Sequence, residues 1–310
     1  MTDQKNPQLG ILLAVSAQVI WGSFPVYLHF INDVPAMDIV VHRTVWSFVL
    51  LLGLLLFSSV VSHPMLPTFK EAAHTFRTPK VLGACCLAAI FIASNWVTFV
   101  WSANNDHKVD ASLGYYICPQ VLVLLGVLFL GERLRWAQWL AVAIVGGGVV
   151  LTSQSDATAI WIPLVIAFSF GFYAFCKKKT TMSALGGLTF ETGILSIPAI
   201  LIFVVPAIWS QTFFTGILWK DAMLFGMGAT TIAPLALYAA ALKHIQLSTM
   251  GFLQFIGPTI QFLLGVLVFN EPYDWTRMVG FAIVWVGVTL FLVYRKPKSV
   301  EVDEPATDAS

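Results

Sequence analysis

The sequence predicts an all-α integral membrane protein: ten transmembrane helices in two inverted repeats of five, with both termini in the cytoplasm. Three observations predict it. Of 310 residues, 58% are hydrophobic and only 11% charged, whereas soluble domains carry about 25% charged residues. Apolar runs of the roughly 20 residues needed to cross a bilayer recur from end to end. The stretch 111–135, ASLGYYICPQVLVLLGVLFLGERLR, is echoed at 248–271, STMGFLQFIGPTIQFLLGVLVFNE. Pro119 answers to Pro258, Gly126 to Gly265 and Glu132 to Glu271 at one offset, and Gly114 to Gly251 after a two-residue shift.

The spans fall in order at 9–30, 37–58, 80–101, 109–130, 136–153, 159–176, 187–207, 222–242, 248–269 and 276–294. The first run is too long for the apolar core of a signal peptide and no small-residue cleavage site follows it, so it reads as a retained helix. Turn punctuation separates the spans: Asn32-Asp33, Pro64 and Pro67, Asn104-Asn105-Asp106, Gly186-Gly187 and Pro272. Between the second and third spans, PTFKEAAHTFRTP places Phe69, Ala72, Ala73 and Phe76 at helical spacing. It reads as a short amphipathic helix begun by Pro67, with plain loop as the alternative. The fourth span is broken by Pro119 and closed by Gly131-Glu132-Arg133; the fifth carries Gly146-Gly147-Gly148, a close-packing surface with no Lys-Ser/Thr after it to make a phosphate loop. The tail 297–310 is acidic and free of aromatics, and reads as disordered.

Lysine and arginine set the orientation. With the N-terminus inside, the cytoplasmic segments hold Lys5, Lys70, Arg77, Lys80, Arg133, Arg135, Lys177, Lys178, Lys179, Lys243, Arg295, Lys296 and Lys298, and the outer loops only Lys108, Lys220 and Arg277. The positive-inside rule then puts both termini in the cytoplasm, which independently requires an even number of crossings. The run Lys177–Lys179 reads as an anchor at a helix end. The repeats occupy 1–153 and 154–296: Trp21-Gly22 matches Phe170-Gly171, and Val41-His42-Arg43 falls opposite Phe190-Glu191-Thr192. Each half has an odd number of crossings, so the copies lie upside down relative to each other, the arrangement of many secondary transporters.

The runs SNWVTFVWSANN, ASLGYYICPQ and LGERLRWAQWLAV, the LSTMGFLQFIGPTIQFLLGV run and HRTVWSF resemble the EamA-type branch of the drug/metabolite transporter superfamily, and within it the RarD group. The resemblance covers the chain apart from its first residues and acidic tail. It implies ten helices in two inverted repeats, cytoplasmic termini and a central substrate cavity. It implies no particular substrate, since members move amino acids, sugars, nucleotide conjugates and drugs. One departure is Asn270, where the first copy has Gly131.

Arg43 is the sharpest candidate site residue, about seven residues and roughly 10 Å into its helix. An arginine at a helix centre costs about 2.5–3.5 kcal/mol to insert. It is either a fork for a substrate carboxylate or phosphate, or a side chain snorkelling to the interface. Glu191, pseudo-equivalent to His42, is open to several readings, a proton-coupling carboxyl, an acceptor for a substrate amine, an ion pair or an interfacial residue; His42 titrates near neutrality or serves as a hydrogen-bonded structural residue. Asn95 and Trp96 lie deep in the third span and need partners there. Tyr115, Tyr116 and Pro119, with Gln254, Phe255 and Pro258, flank paired proline breaks, the best sequence pointer to a transport pathway. Glu132 and Glu271 read as helix-end residues complementing the N-termini of the fifth and tenth spans, with gating as the alternative.

Cys85, Cys86, Cys118 and Cys176 sit in or at the ends of apolar runs, with no CxxC and no His/Cys cluster. No metal, cofactor or disulfide framework is expected, and no basic run suggests nucleic acid. The partners are a small solute and the lipid bilayer, in the inner or plasma membrane. The expected function is secondary-active transport of a small polar or amphiphilic organic metabolite or drug by alternating access. A passive channel is the alternative, and an intramembrane enzyme the remote one, since no catalytic constellation is readable.

Overall fold

The computed structural model describes residues 6–60, 67–105, 107–152, 160–204, 214–270 and 275–294. The acidic tail 297–310 and the expected 153/154 boundary lie outside the described residues. Within them the chain is helical throughout: α1 (Pro7–His29), α2 (Ala36–Phe57), α3 (Phe69–Arg77), α4 (Pro79–Asn104), α5 (Lys108–Leu130) and α6 (Trp136–Thr152) precede α7 (Trp161–Lys179), α8 (Ala184–Val204), α9 (Leu218–His244), α10 (Leu247–Leu253), α11 (Ile256–Leu267) and α12 (Trp275–Val293). Among the described residues, seven segments are long and apolar enough to cross a membrane, counting 247–267 as one; Trp136–Leu151 and Met278–Val293 are apolar but shorter, and α7 ends in three lysines. This is a multi-pass helical membrane protein. Large apolar side chains such as Leu12, Val97, Leu128 and Val150 face outward, as lipid contact requires.

Local chemistry sets the ends. Asn6 caps α1 by accepting hydrogen bonds from Gln8 N and Leu9 N, with Pro7 in the first turn, where its missing N–H is no loss. Thr68 caps α3, so the amphipathic segment is a helix and not plain loop. α5 ends on Gly131 in the left-handed region (φ 65°), and Asn270, 139 residues on, takes the same conformation (φ 54°). Asparagine tolerates that region better than most residues, so the departure at 270 preserves the turn.

The two proline positions differ. Pro258 has no N–H to offer Gln254 O, and the helix is interrupted at Gln254 and Phe255 between α10 and α11. α5, in contrast, runs through Pro119 without interruption, so the expected break in the first copy is absent. There α10 lies directly on α5, and Gly251 sits against Pro119 O, so the segment is held along its length by a close neighbour.

The packing repeats when the halves are exchanged. α1 packs on α9 and α11 as α7 packs on α4 and α5; α2 meets α9 as α8 meets α4; α6 packs on α12, α2 on α8 and α5 on α10. The correspondence reaches single residues. A Cβ on Gly22 would stand 2.7 Å from Ile260, and one on Gly171 2.6 Å from Val121. Gly114 and Gly251 do not correspond in this way: Gly114 faces Ile166 and Pro163 O of α7, whereas Gly251 faces α5.

Candidate functional site

Arg43 stands on the inward side of α2. Its guanidinium carbon lies 4.5 Å from the Trp96 ring of α4 and 6.0 Å from the Phe24 ring of α1. No described carboxylate forms an ion pair with it, and its Nε is buried without a hydrogen-bond partner. A desolvated cation–π contact contributes about 2 kcal/mol, less than the roughly 2.5–3.5 kcal/mol needed to place arginine at a helix centre. The aromatic contacts therefore offset part of the cost and leave donors available to an anion.

Asn95 is committed to structure around this group. Its Nδ2 donates to Ile166 O at 3.0 Å and Ser169 Oγ at 3.3 Å on α7, and its Oδ1 accepts from Tyr115 Oη at 3.3 Å. The amide thereby ties α4 to α7 and aims Tyr115. Cys118 lies three residues beyond Tyr115 on the same face of α5, and its sulfur takes the Gln254 Nε2 at 3.6 Å. Gln254 sits in the α10–α11 interruption, close to Gly257, which lies against Gln18 Oε1 of α1. One turn along α1 is Trp21, whose ring meets Tyr238 at 5.5 Å and Phe170 at 6.0 Å. The next turn carries Phe24, back beside Arg43. The contacts thus close a ring through α1, α2, α4, α5 and the α10–α11 turn.

A second buried charged group lies between α7 and α8. Lys177 Nζ is 2.8 Å from Glu191 Oε1, both side chains are buried, and Tyr173 Oη donates to Glu191 Oε2 at 3.3 Å. Glu191 thus has an ion-pair partner in Lys177. The run Lys177–Lys179 is not the simple solvated anchor its charge suggested. Lys178 donates to Leu242 O and Ile245 O, capping the C-terminal end of α9, and only Lys179 is exposed. His42 is buried, accepts from Trp46 Nε1 at 3.0 Å through Nδ1 and meets the Phe214 ring edge-on at 5.4 Å.

Glu132 corrects the expectation drawn for it. Its carboxylate accepts from Leu247 N at 2.6 Å and Ser248 N at 3.0 Å, so it caps α10 in the other half and not the helix that follows it. Gly126 makes room for it: a Cβ there would stand 2.6 Å from Glu132 Oε2. Glu71 of α3 likewise reaches across, accepting from Ser183 N and from Ser183 Oγ at the start of α8. These contacts, with Asn6 N to His244 Nδ1, gather at one end of the bundle. Tyr27 Oη to Met223 O and the Lys220–Asp33 pair join the halves at the opposite end.

The structure therefore brings together Arg43, Trp96, Asn95 and Tyr115 and links Gln254 to them through Cys118, with Pro119 and Pro258 in the same two segments. It turns Tyr116 toward Phe281 of α12 and sinks Phe255 into the α5–α6–α12 core. Both residues adjoin Tyr115 or Gln254 in sequence, but about 100° of helical rotation per residue carries them to another face. Glu271 lies outside the described residues. Sequence reasoning passed over Gln18, Tyr238 and Phe24 and read Lys177 as an anchor; of the first three only Gln18, an amide inside an apolar run like Asn95, carried a readable signal. Among the described residues no group of three or more His, Cys, Asp or Glu side chains is arranged to hold a metal.

The model of the EamA-like transporter family matches residues 8–154. A Salmonella typhi protein named "Protein RarD" is 37% identical over 94% of this chain and 97% of its own. A Vibrio cholerae "Uncharacterized transporter" is 38% identical over 94% of each chain, and a Pseudomonas aeruginosa "Chloramphenicol-sensitive protein RarD" is 27% identical over 91% of this chain and 92% of its own. A solved crystal structure at 16% identity superposes with a TM-score of 0.68 over 93% of this chain and 99% of that chain, a likeness of fold alone.

Proposed function

The chain belongs to the RarD group of the EamA-like transporter family, a membrane transporter of the drug/metabolite superfamily, and we propose that it is a secondary-active carrier of a small polar or amphiphilic organic solute. It crosses the inner membrane ten times, the α10–α11 pair counting as one crossing, with both termini in the cytoplasm. Residues 1–153 and 154–296 form inverted repeats that exchange conformations to open the centre to one side and then the other. Arg43 forks an acidic group of the solute, with Trp96 and Tyr115 beside it.

The observation that carries this reading is the packing that survives exchange of the halves, down to the Gly22–Ile260 and Gly171–Val121 contacts. A bundle built of two interchangeable halves has a second arrangement of the same contacts with the roles of its ends reversed. That arrangement is what alternating access requires.

Spin labels test it. One pair, at Thr68 and Gln246, spans the halves at the end holding Glu71; another, at Asn32 and Leu218, spans them at the opposite end. All four positions are exposed. Each pair is expected to show two distances, and a transported solute is expected to shift their populations in opposite directions. Distances that widen at both ends together, or never change, contradict the mechanism.

A further inference from the structure

Three unpartnered polar atoms lie on or beside the ring of contacts, away from Arg43. Gln18 Nε2, Tyr238 Oη and Gln254 Oε1 are each buried without a hydrogen-bond partner, and their side chains are only 2%, 0% and 6% exposed. They come from three elements, α1, α9 and the α10–α11 turn, and are drawn together by contacts already described. Gln18 lies against Gly257, three residues past Gln254, and Tyr238 meets Trp21, three residues past Gln18. A buried amide or hydroxyl left unpaired in this way is costly, and chance leaves few of them in one place.

We propose that Gln18, Tyr238 and Gln254 form a second recognition point, which takes a neutral hydroxyl or amide at the far end of a solute whose acidic group lies on Arg43. An amide N–H and a carbonyl oxygen, with a phenol able to act either way, match a group that both donates and accepts. Two features define the rest of the ligand. Among the described residues no acidic side chain pairs with Arg43, so the solute carries a net negative charge. Trp96 and Phe24 stand at Arg43, Tyr115 is held beside them by Asn95, and Trp21 meets Tyr238 at the other point, which suits a flat or aromatic body. The ligand class is therefore a small aromatic acid bearing a hydroxyl or amide opposite its carboxylate. This deepens the reading of Arg43 and rests on it.

The test is binding to the purified full-length protein, followed by thermal shift and calorimetry. The probes are 4-hydroxybenzoate, 4-hydroxyphenylacetate and 3-(4-hydroxyphenyl)propionate, each beside the acid lacking the hydroxyl and beside its methyl ester. In the wild type, the acid of fitting length binds about tenfold or more tightly than its partner without the hydroxyl, because that partner leaves the buried groups unpaired. The esters do not bind. The near-isosteric variants Tyr238→Phe and Gln254→Met bring the ratio close to one while the acid without the hydroxyl binds as before; unfolding temperatures without ligand confirm that they fold. Arg43→Gln loses both acids. Equal binding of both acids by the wild type, the result if only water serves these atoms, overturns the second recognition point and leaves Arg43 in place. Esters that bind as well as acids overturn the role of Arg43 and the proposal with it, and failure of every compound to bind overturns the ligand class.

Discussion

Gly148 and Gly287 make the same contact from opposite halves. A Cβ on Gly148 would stand 2.8 Å from Val284 Cγ2 and 2.9 Å from Gly280 O; one on Gly287 would stand 2.5 Å from Val145 Cγ2 and 3.0 Å from Ala141 O. Each residue in the second set is the first set's counterpart 139 positions away (148 to 287, 145 to 284, 141 to 280). The crossing of α6 and α12 is thus built twice from one pattern. Of the triplet, Gly146 and Gly147 have nothing within 4 Å of a Cβ.

The triplet should therefore divide on substitution. Gly148→Ala and Gly287→Ala push against backbone and are expected to cost about 1–3 kcal/mol each. Gly146→Ala and Gly147→Ala should be neutral or stabilising by up to about 1 kcal/mol, since alanine suits a helix better. Thermal unfolding in detergent reads the difference. Equal behaviour of Gly147→Ala and Gly148→Ala would show that the close crossing is wrong.

The Lys177–Glu191 pair makes a different demand. Removing one partner strands a buried charge, so Glu191→Gln or Lys177→Met should cost about 3–5 kcal/mol, while the double variant Lys177→Met with Glu191→Leu recovers most of it. A double variant no better than the singles would mean that the pair is not the unit. Where the proteins fold, their transport against pH separates an ion pair from a proton carrier: an unaltered profile in the double variant rules out proton coupling through Glu191.

Glu132 is expected to act at a distance in sequence. Glu132→Ala removes the acceptor for two N–H groups of α10 and should cost about 0.5–2 kcal/mol. Hydrogen exchange should quicken at Leu247 and Ser248 more than at the start of α6. Protection lost from the start of α6 instead would restore the reading that Glu132 serves its own neighbour.

Asp33 supplies a pH dependence. Its hydrogen bond with Lys220 holds the carboxyl below its ordinary range. The folded value is the lower one, so the contribution of the pair is present above the unfolded value, near about 3.9, and is lost as the pH falls through the folded value. Asp33→Asn should thus leave unfolding unchanged in its pH dependence from pH 8 to 5 and flatten it only in acid. A difference in slope near neutrality would point to another group.

The internal echo was legible because proline and glycine keep their register where apolar residues drift. Pro119 and Pro258, Gly126 and Gly265, and Trp21-Gly22 with Phe170-Gly171 identify counterparts before any contact is known. Arg43 was legible for a physical reason too, since a lone cation inside an apolar helix must be accounted for. The partners were not legible. Glu132 reaches an element 115 residues on, and Lys177 looked solvated because a lysine run at a helix end normally is. Phe255 looked like its neighbour Gln254, yet one step of rotation sends Phe255 into the apolar core and Gln254 to Cys118. Nothing in the sequence distinguished Tyr238 from the other aromatics, because its significance lies in having no partner.

Counterflow in proteoliposomes tests the central claim most directly. Vesicles loaded with an unlabelled aromatic acid that binds the protein are diluted into a trace of the same acid, labelled. The wild type should accumulate label transiently above its external concentration, and Arg43→Gln, folded and inserted to the same level, should not. Label that merely equilibrates in the wild type would describe a pore, and an overshoot that persists in Arg43→Gln would remove Arg43 from the transport site.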